Sequence, residues 1–281
     1  MSDEVVVELN GGLGNQLWGW AAAYALAKKL DLALVLDCAG LHQRRFQLSS
    51  VDTGATLKRN LGINYLPAAQ TINRFVDRQL PSRRMEVFEE SGFSFDRRFR
   101  QIVGPTRLRG YFQSPNYFSG FGAAIRARIL TEKNLALRAG ILDELGLPEQ
   151  FLAVHVRLGD YKHSRHVFPA LGTDYFADGI SMVREVVADS EIVVFTDSIA
   201  ESKTLFPRAN RYIGPADLPR AFDNVLAMTK ARGIVGSNSS FSWWAAYLME
   251  SEDGTRIFPK KWFQDPTISV QELILTGWRT L

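Results

Sequence analysis

A single cysteine, Cys38, stands in 281 residues. No intrachain disulfide can form, so the fold rests on its core, and a reducing compartment is the natural setting. Charge of one sign is scarce too. Against 33 Lys and Arg there are 30 Asp and Glu, a formal net charge of +3 that suits an anionic ligand but is too weak to argue for nucleic acid. Long hydrophobic runs are missing: the longest, Leu17 to Leu36, is broken by Lys28, Lys29 and Asp31, which argues against a membrane span. Met1-Ser2-Asp3-Glu4 is acidic and leads straight into a strand pattern, unlike a signal peptide. The expectation is a cytoplasmic protein, with contact at the inner face of the membrane left open. There is no short-period repeat, no low-complexity tract and no Asp-x-Asp triplet at a strand end.

What is present is an ordinary globular composition, 46% hydrophobic and 22% charged, long enough for one large or two medium domains. Val5 to Leu9 reads as a strand and Asn10 to Gly14 as a glycine turn. Leu17, Trp20, Ala21, Tyr24 and Ala25 then mark one helical face, and Leu32 to Leu36 a second buried strand ending at Asp37, a βαβ opening. The stretch from about Arg44 to Gly122 is less regular. Its arginines and phenylalanines between Arg74 and Arg109 read more simply as a solvated face over a small core than as a nucleic-acid surface. One helix is expected from Ala124 to Leu145, with Pro148 after it, so the domains are placed at 1–148 and 149–281. Strands and helices then alternate strictly from 151 to 258, the pattern of a parallel Rossmann-like sheet.

The strand ends of this second half carry the chemistry. Phe151 to Val156 is an apolar run, and Arg157 appears where it stops. Ligands of α/β folds bind outside the carboxyl ends of the strands, and a guanidinium there offers a fork of donors to a diphosphate. An arginine pinned to Asp160 would be the bland alternative. Asp197-Ser198 follows the next strand, and Ser237-Asn238-Ser239-Ser240 leads directly into a helix whose first N–H groups can receive an anion. Taken singly, Ser239 or Ser240 reads as an N-cap and Asp197 as a turn residue. Together with Arg157 they read as a nucleoside diphosphate pocket. The turn Gly12-Leu13-Gly14 with Asp37 partly imitates a dinucleotide fingerprint, but Leu17 stands where close packing wants the third glycine. Asn15 and Gln16 suit hydroxyl groups better than a pyrophosphate.

Gly11-Gly12-Leu13-Gly14-Asn15-Gln16, Gly110-Tyr111-Phe112-Gln113-Ser114, His155-Val156-Arg157-Leu158-Gly159-Asp160-Tyr161, Phe195-Thr196-Asp197-Ser198 and Ser237 to Trp244 follow one another as in glycosyltransferase family eleven, the alpha-1,2-fucosyltransferases. Phe258 to Phe263 also resembles that family's C-terminal segment. The resemblance covers nearly the whole chain, least from about 42 to 107. It implies two facing Rossmann-like domains, the GT-B architecture, with the acceptor on the N-terminal side and GDP-fucose held mainly by the C-terminal domain. Carried over, Arg157 contacts the diphosphate and is catalytic together with Asp160. His155 and Asp160 shape the loop, Asp197 lies near the nucleoside, and Asn238, Ser239, Ser240 and Phe241 line the donor site. Asn15 faces the cleft from the other domain and is counted with His155 among the donor-binding residues. No metal and no cofactor is expected beyond the GDP-L-fucose donor. The acceptor would be a galactose-containing oligosaccharide or a lipid-linked glycan. The family usually has a second arginine after the first, where this chain has Leu158.

The general base is open among Asp160, Glu8, Asp37 and His155. The rival readings are a nicotinamide oxidoreductase resting on Gly12, Gly14 and Asp37, and a carbohydrate-binding protein without catalysis.

Overall fold

The computed structural model describes residues 3–41, 44–58, 85–159, 166–188, 190–206, 208–269 and 271–281. The chain divides into two compact units, Met1–Arg128 and Ile129–Leu281, each built on an all-parallel sheet.

In the first unit β1 (Glu4–Glu8), β2 (Ala33–Asp37), β3 (Thr56–Lys58), β4 (Glu86–Glu89) and β5 (Thr106–Arg109) lie in the order β3-β2-β1-β5-β4. The order reverses between β1 and β5. Helix α1 (Leu13–Leu30) follows β1 and is stopped by Asp31 in a left-handed conformation. Its sequence predicted one apolar face. The structure buries it nearly all round, Trp18 and Trp20 included, because small alanines and Gly19 on the remaining faces let neighbours approach. The irregular middle supplies three of the five strands. They were illegible because each is only three or four residues long and mostly charged or exposed. Its phenylalanines form the small core expected of them: Phe88 to Phe99, Phe99 to Tyr117 and Phe112 to Tyr117 have ring centroids 5.6, 4.9 and 5.2 Å apart.

The single helix expected over 124–145 is two, α2 (Gly122–Ile129) and α3 (Glu132–Glu144). Thr131 caps α3 by accepting from Asn134 N–H (3.3 Å), and the Asn134 amide donates to the Ile129 carbonyl (2.7 Å), so one turn closes both ends. The units divide between Arg128 and Ile129, in the last turn of α2 just before this break, whereas 148/149 was expected. Helix α3 goes with the second unit because Arg138 reaches Thr229 Oγ1 (2.9 Å) and Glu250 there.

The second unit holds β6 (Phe151–Val156), β7 (Glu191–Thr196), β8 (Arg211–Ile213), β9 (Gly233–Val235), β10 (Thr255–Phe258) and β11 (Arg279–Thr280), the last not anticipated. Their order, β8-β7-β6-β9-β10-β11, is that of a Rossmann sheet, with its reversal between β6 and β9. Helices α4 (Thr173–Arg184), α5 (Ile199–Leu205), α6 (Ala221–Met228) and α7 (Ser240–Leu248) connect the strands. Leu152, Val154 and Val156 alternate onto the β6 face packed by Phe176 and Val183 of α4. His155 therefore points to the other face, toward α7. Both Rossmann-like units of a GT-B chain are present. No helix among the described residues is long and apolar enough to cross a membrane.

Candidate active site

The strand ends at the β6/β9 reversal bring together most of the residues singled out in the second half. Arg157 leaves β6 half-buried and pairs with Asp197, Nε to Oδ2 at 3.4 Å. Asp197 does more than face the arginine. Its Oδ1 accepts from Leu158 N–H (2.9 Å) and its Oδ2 from Gly159 N–H (3.1 Å). One carboxylate thus fixes the backbone of the loop and the direction of the guanidinium. A Cβ on Gly159 would lie 2.9 Å from Asp197 Oδ2, so the close approach requires glycine. Arg157 is thus pinned to one carboxylate, and the pairing with Asp160 weighed as the bland alternative lies outside the described residues.

The Ser237–Ser240 stretch is stitched to β6 before it opens α7. Ser237 Oγ donates to the His155 carbonyl (2.8 Å) and accepts from Arg157 N–H (3.2 Å). The Asn238 amide donates to the carbonyls of Pro169 (3.2 Å) and Trp262 (3.1 Å), tying two loops to the strand end. Ser239 is the N-cap of α7, accepting from Phe241 N–H (3.3 Å). The first turn of the helix adds N–H donors and the positive end of its dipole.

His155 is buried beneath this surface. Its Nδ1 is 2.6 Å from Ser242 Oγ, and its ring lies 5.0 Å from that of Phe241. Burial, and next the Arg157 charge, push its pKa down to about 3. A neutral imidazole with so little affinity for a proton is a poor general base. It acts as a strut between β6 and α7. Arg157, Leu158, Phe168, Leu171 and Asn238 border a cleft of about 80 Å³. Leu158 is partly buried against the α4 side of the core, opposite to His155. The arrangement can bind an anion at Arg157 and the α7 N-terminus and stabilise charge that develops there.

The first unit brings its own two motifs to its own reversal. Asn10 Nδ2 donates to the Gly110 carbonyl (3.0 Å), and Gln113 Nε2 donates to Asn15 Oδ1 (3.0 Å). Gln16, expected to meet hydroxyls, is consumed inside the fold: it is fully buried, donates to the carbonyls of Gly11 (3.0 Å) and Arg45 (2.9 Å), and accepts from Gln47 N–H (2.9 Å). The base candidates Glu8 and Asp37 are both engaged. Arg107 spans Glu8 (3.2 Å) and Asp37 (2.9 Å), and Arg109 meets Glu8 at 2.8 Å. These arginines, and Glu90 described below, were missed, because no run of the sequence shows which strands will be neighbours. Among the described residues no group of three or more His, Cys, Asp or Glu could hold a metal ion.

Residues 97–281 match the family described as glycosyl transferase family 11. The chain is 29% identical to an alpha-1,2-colitosyltransferase of Escherichia coli, over 92% of each chain. It is 24% identical to a galactoside 2-alpha-L-fucosyltransferase of Caenorhabditis elegans, covering 91% of this chain and 74% of that one. Among solved structures, the NodZ alpha-1,6-fucosyltransferase of Bradyrhizobium co-crystallised with GDP has the same fold, at a TM-score of 0.52, 16% identity and coverage of 89% of this chain and 93% of that one.

Proposed function

Because the chain belongs to glycosyl transferase family 11, we propose that it transfers L-fucose from GDP-β-L-fucose to O2 of a galactoside, with inversion and without a metal ion. The observation that carries this reading is the strand-end constellation at β6 and β9. Arg157 is aimed by Asp197 and stands beside a helix N-terminus.

In the reaction the bond from fucose C1 to the β-phosphate oxygen breaks, and GDP departs with the bonding electrons. The acceptor oxygen attacks C1 from the opposite face, which turns the β-linked donor into an α-linked product, and the hydroxyl proton passes to a base. Arg157 and the first turn of α7 meet the charge as it gathers on GDP. A preorganised donor of this kind lowers the barrier by roughly 3–4 kcal/mol. Asp197, Ser237, Asn238 and His155 position these groups, with Ser239, Ser240 and Phe241 at the helix start, and Asp197 keeps its expected place near the nucleoside. Asp160 stays a base candidate on sequence grounds alone.

Two relatives support attack by a 2-hydroxyl, since their names carry the same linkage. The 29% identity to the colitosyltransferase favours one second reading, the same chemistry with another sugar nucleotide. Incubating the enzyme with single sugar nucleotides and lactose, and reading the product linkage by NMR, tests both. An α-1,2-fucosyl product is expected. Transfer from a different donor, or to a different hydroxyl, would replace the assignment.

A further inference from the structure

Among the described aromatic residues of the first unit, Tyr111 alone is exposed. Phe88, Phe99, Phe112 and Tyr117 are at most 9% exposed, whereas Tyr111 is 43% exposed. It lies on the turn that leaves β5 at the β1/β5 reversal, where an α/β sheet receives its ligand.

The turn is held in a costly shape. Phe112, fully buried, has a φ of +53°, a region that bulky residues seldom adopt, and Gly110 before it has a φ of +155°. A side chain at 110 would also place its Cβ 2.5 Å from the Cβ of Glu90. Glu90 is what fixes this shape. Its Oε2 accepts from Tyr111 N–H (2.7 Å) and Phe112 N–H (2.9 Å), and its Oε1 accepts from the Tyr117 hydroxyl (2.8 Å). Burial raises the pKa of this carboxyl, so the fold bears a desolvation cost at the place where the turn is set. Strain of this kind persists only where surrounding structure over-determines it. Its product is a ring presented to solvent and backed by Phe93, with centroids 6.2 Å apart and planes within 19°. Two residues on, Gln113 joins Asn15 to make a pair of amides at the same sheet edge.

An aromatic face beside amides is the chemistry that recognises a pyranose. The C–H face of the sugar lies on the ring, and its hydroxyls exchange hydrogen bonds with donors and acceptors that carry no net charge. We propose that Tyr111, backed by Phe93 and held by Glu90, forms with Asn15 and Gln113 the subsite for the acceptor galactoside. This rests on the transferase function proposed above.

The test uses the intact protein saturated with GDP, with lactose as the probe. Lactose binding is followed by saturation-transfer NMR and GDP binding by calorimetry, in wild type, Tyr111→Ala, Tyr111→Phe and Gln113→Ala. The expected result is a lactose dissociation constant raised at least tenfold in Tyr111→Ala, within threefold of wild type in Tyr111→Phe, and raised several-fold in Gln113→Ala. GDP affinity stays unchanged in all three. Equal lactose affinity in wild type and Tyr111→Ala would overturn the subsite. So would a parallel loss of GDP affinity, or wild type that binds no lactose. Failure of the proposed function looks different: wild type that binds lactose through Tyr111 but binds neither GDP nor GDP-fucose keeps the subsite and removes the donor assignment.

Discussion

Each unit ends a central strand with arginine, and the two arginines are treated in opposite ways. Arg109 at the end of β5 is matched at 2.8 Å by Glu8, and Arg107 beneath it by Glu8 and Asp37. Arg157 after β6 has a longer contact of 3.4 Å to Asp197, a carboxylate already occupied by two main-chain N–H groups. Arg107 and Arg109 together face Glu8 and Asp37, two cations against two carboxylates, which leaves that edge close to neutral. Arg157 stands beside the first N–H groups of α7, and the positive end of that helix dipole adds to its charge and favours an anion there. One topology thus supplies a neutral edge of amides and a ring in one unit and an electropositive edge in the other. The groups gathered around each strand end, rather than the strand order, set the two edges apart.

The largest expected effect breaks this comparison at its electropositive end. Arg157→Ala should lower kcat at least 100-fold with an unchanged circular dichroism spectrum, and Arg157→Lys should recover little, since an ammonium cannot reproduce the fork. Near-normal turnover in the alanine variant would remove Arg157 from the chemistry. The matching change in the first unit, Arg109→Ala, should do the reverse. It should cost about 1–2 kcal/mol in urea unfolding, between the values for exposed and buried pairs, and leave GDP affinity unaltered.

Acid sharpens the contrast. His155 binds a proton near pH 6.5 when unfolded and only near about 3 when folded. Between these values the unfolded state holds more protons, so stability falls as pH falls, by up to about 1.4 kcal/mol per pH unit. His155→Asn should flatten the slope of unfolding free energy against pH between 6.5 and 4. An unchanged slope would show that the histidine does not resist protonation. The smallest effect is expected from Leu158→Arg. Leu158 packs on the α4 side of the core, away from His155, so the change should bring no gain in donor affinity measured by calorimetry. A tenfold tightening, about 1.4 kcal/mol, would mean that position 158 reaches the diphosphate.

How much of this was legible differs between the units for the same reason that their chemistry differs. The second unit announces itself, because β6 and β7 are buried apolar runs and the polar residue after each must lie at a sheet edge. Arg157, Asp197 and the serines could be read there, and the structure brings them to one edge. The pairing of Asp197 with the loop after β6 crosses about forty residues of sequence and depends on β6 and β7 being neighbours, which composition does not reveal. In the first unit β3, β4 and β5 are short and carry charge, so neither period nor polarity marked them. Glu90, Arg107 and Arg109 were hidden with those strands.

Asp197 grips the loop after β6 through main-chain N–H groups, which every residue there except proline possesses. That choice has an evolutionary consequence. The loop keeps its shape whatever side chain stands at 158, so a lineage can exchange an arginine for a leucine there without dismantling the neighbouring Arg157. What the site must keep is then Asp197 and the glycine at 159, while position 158 is left to vary without disturbing the grip on the loop.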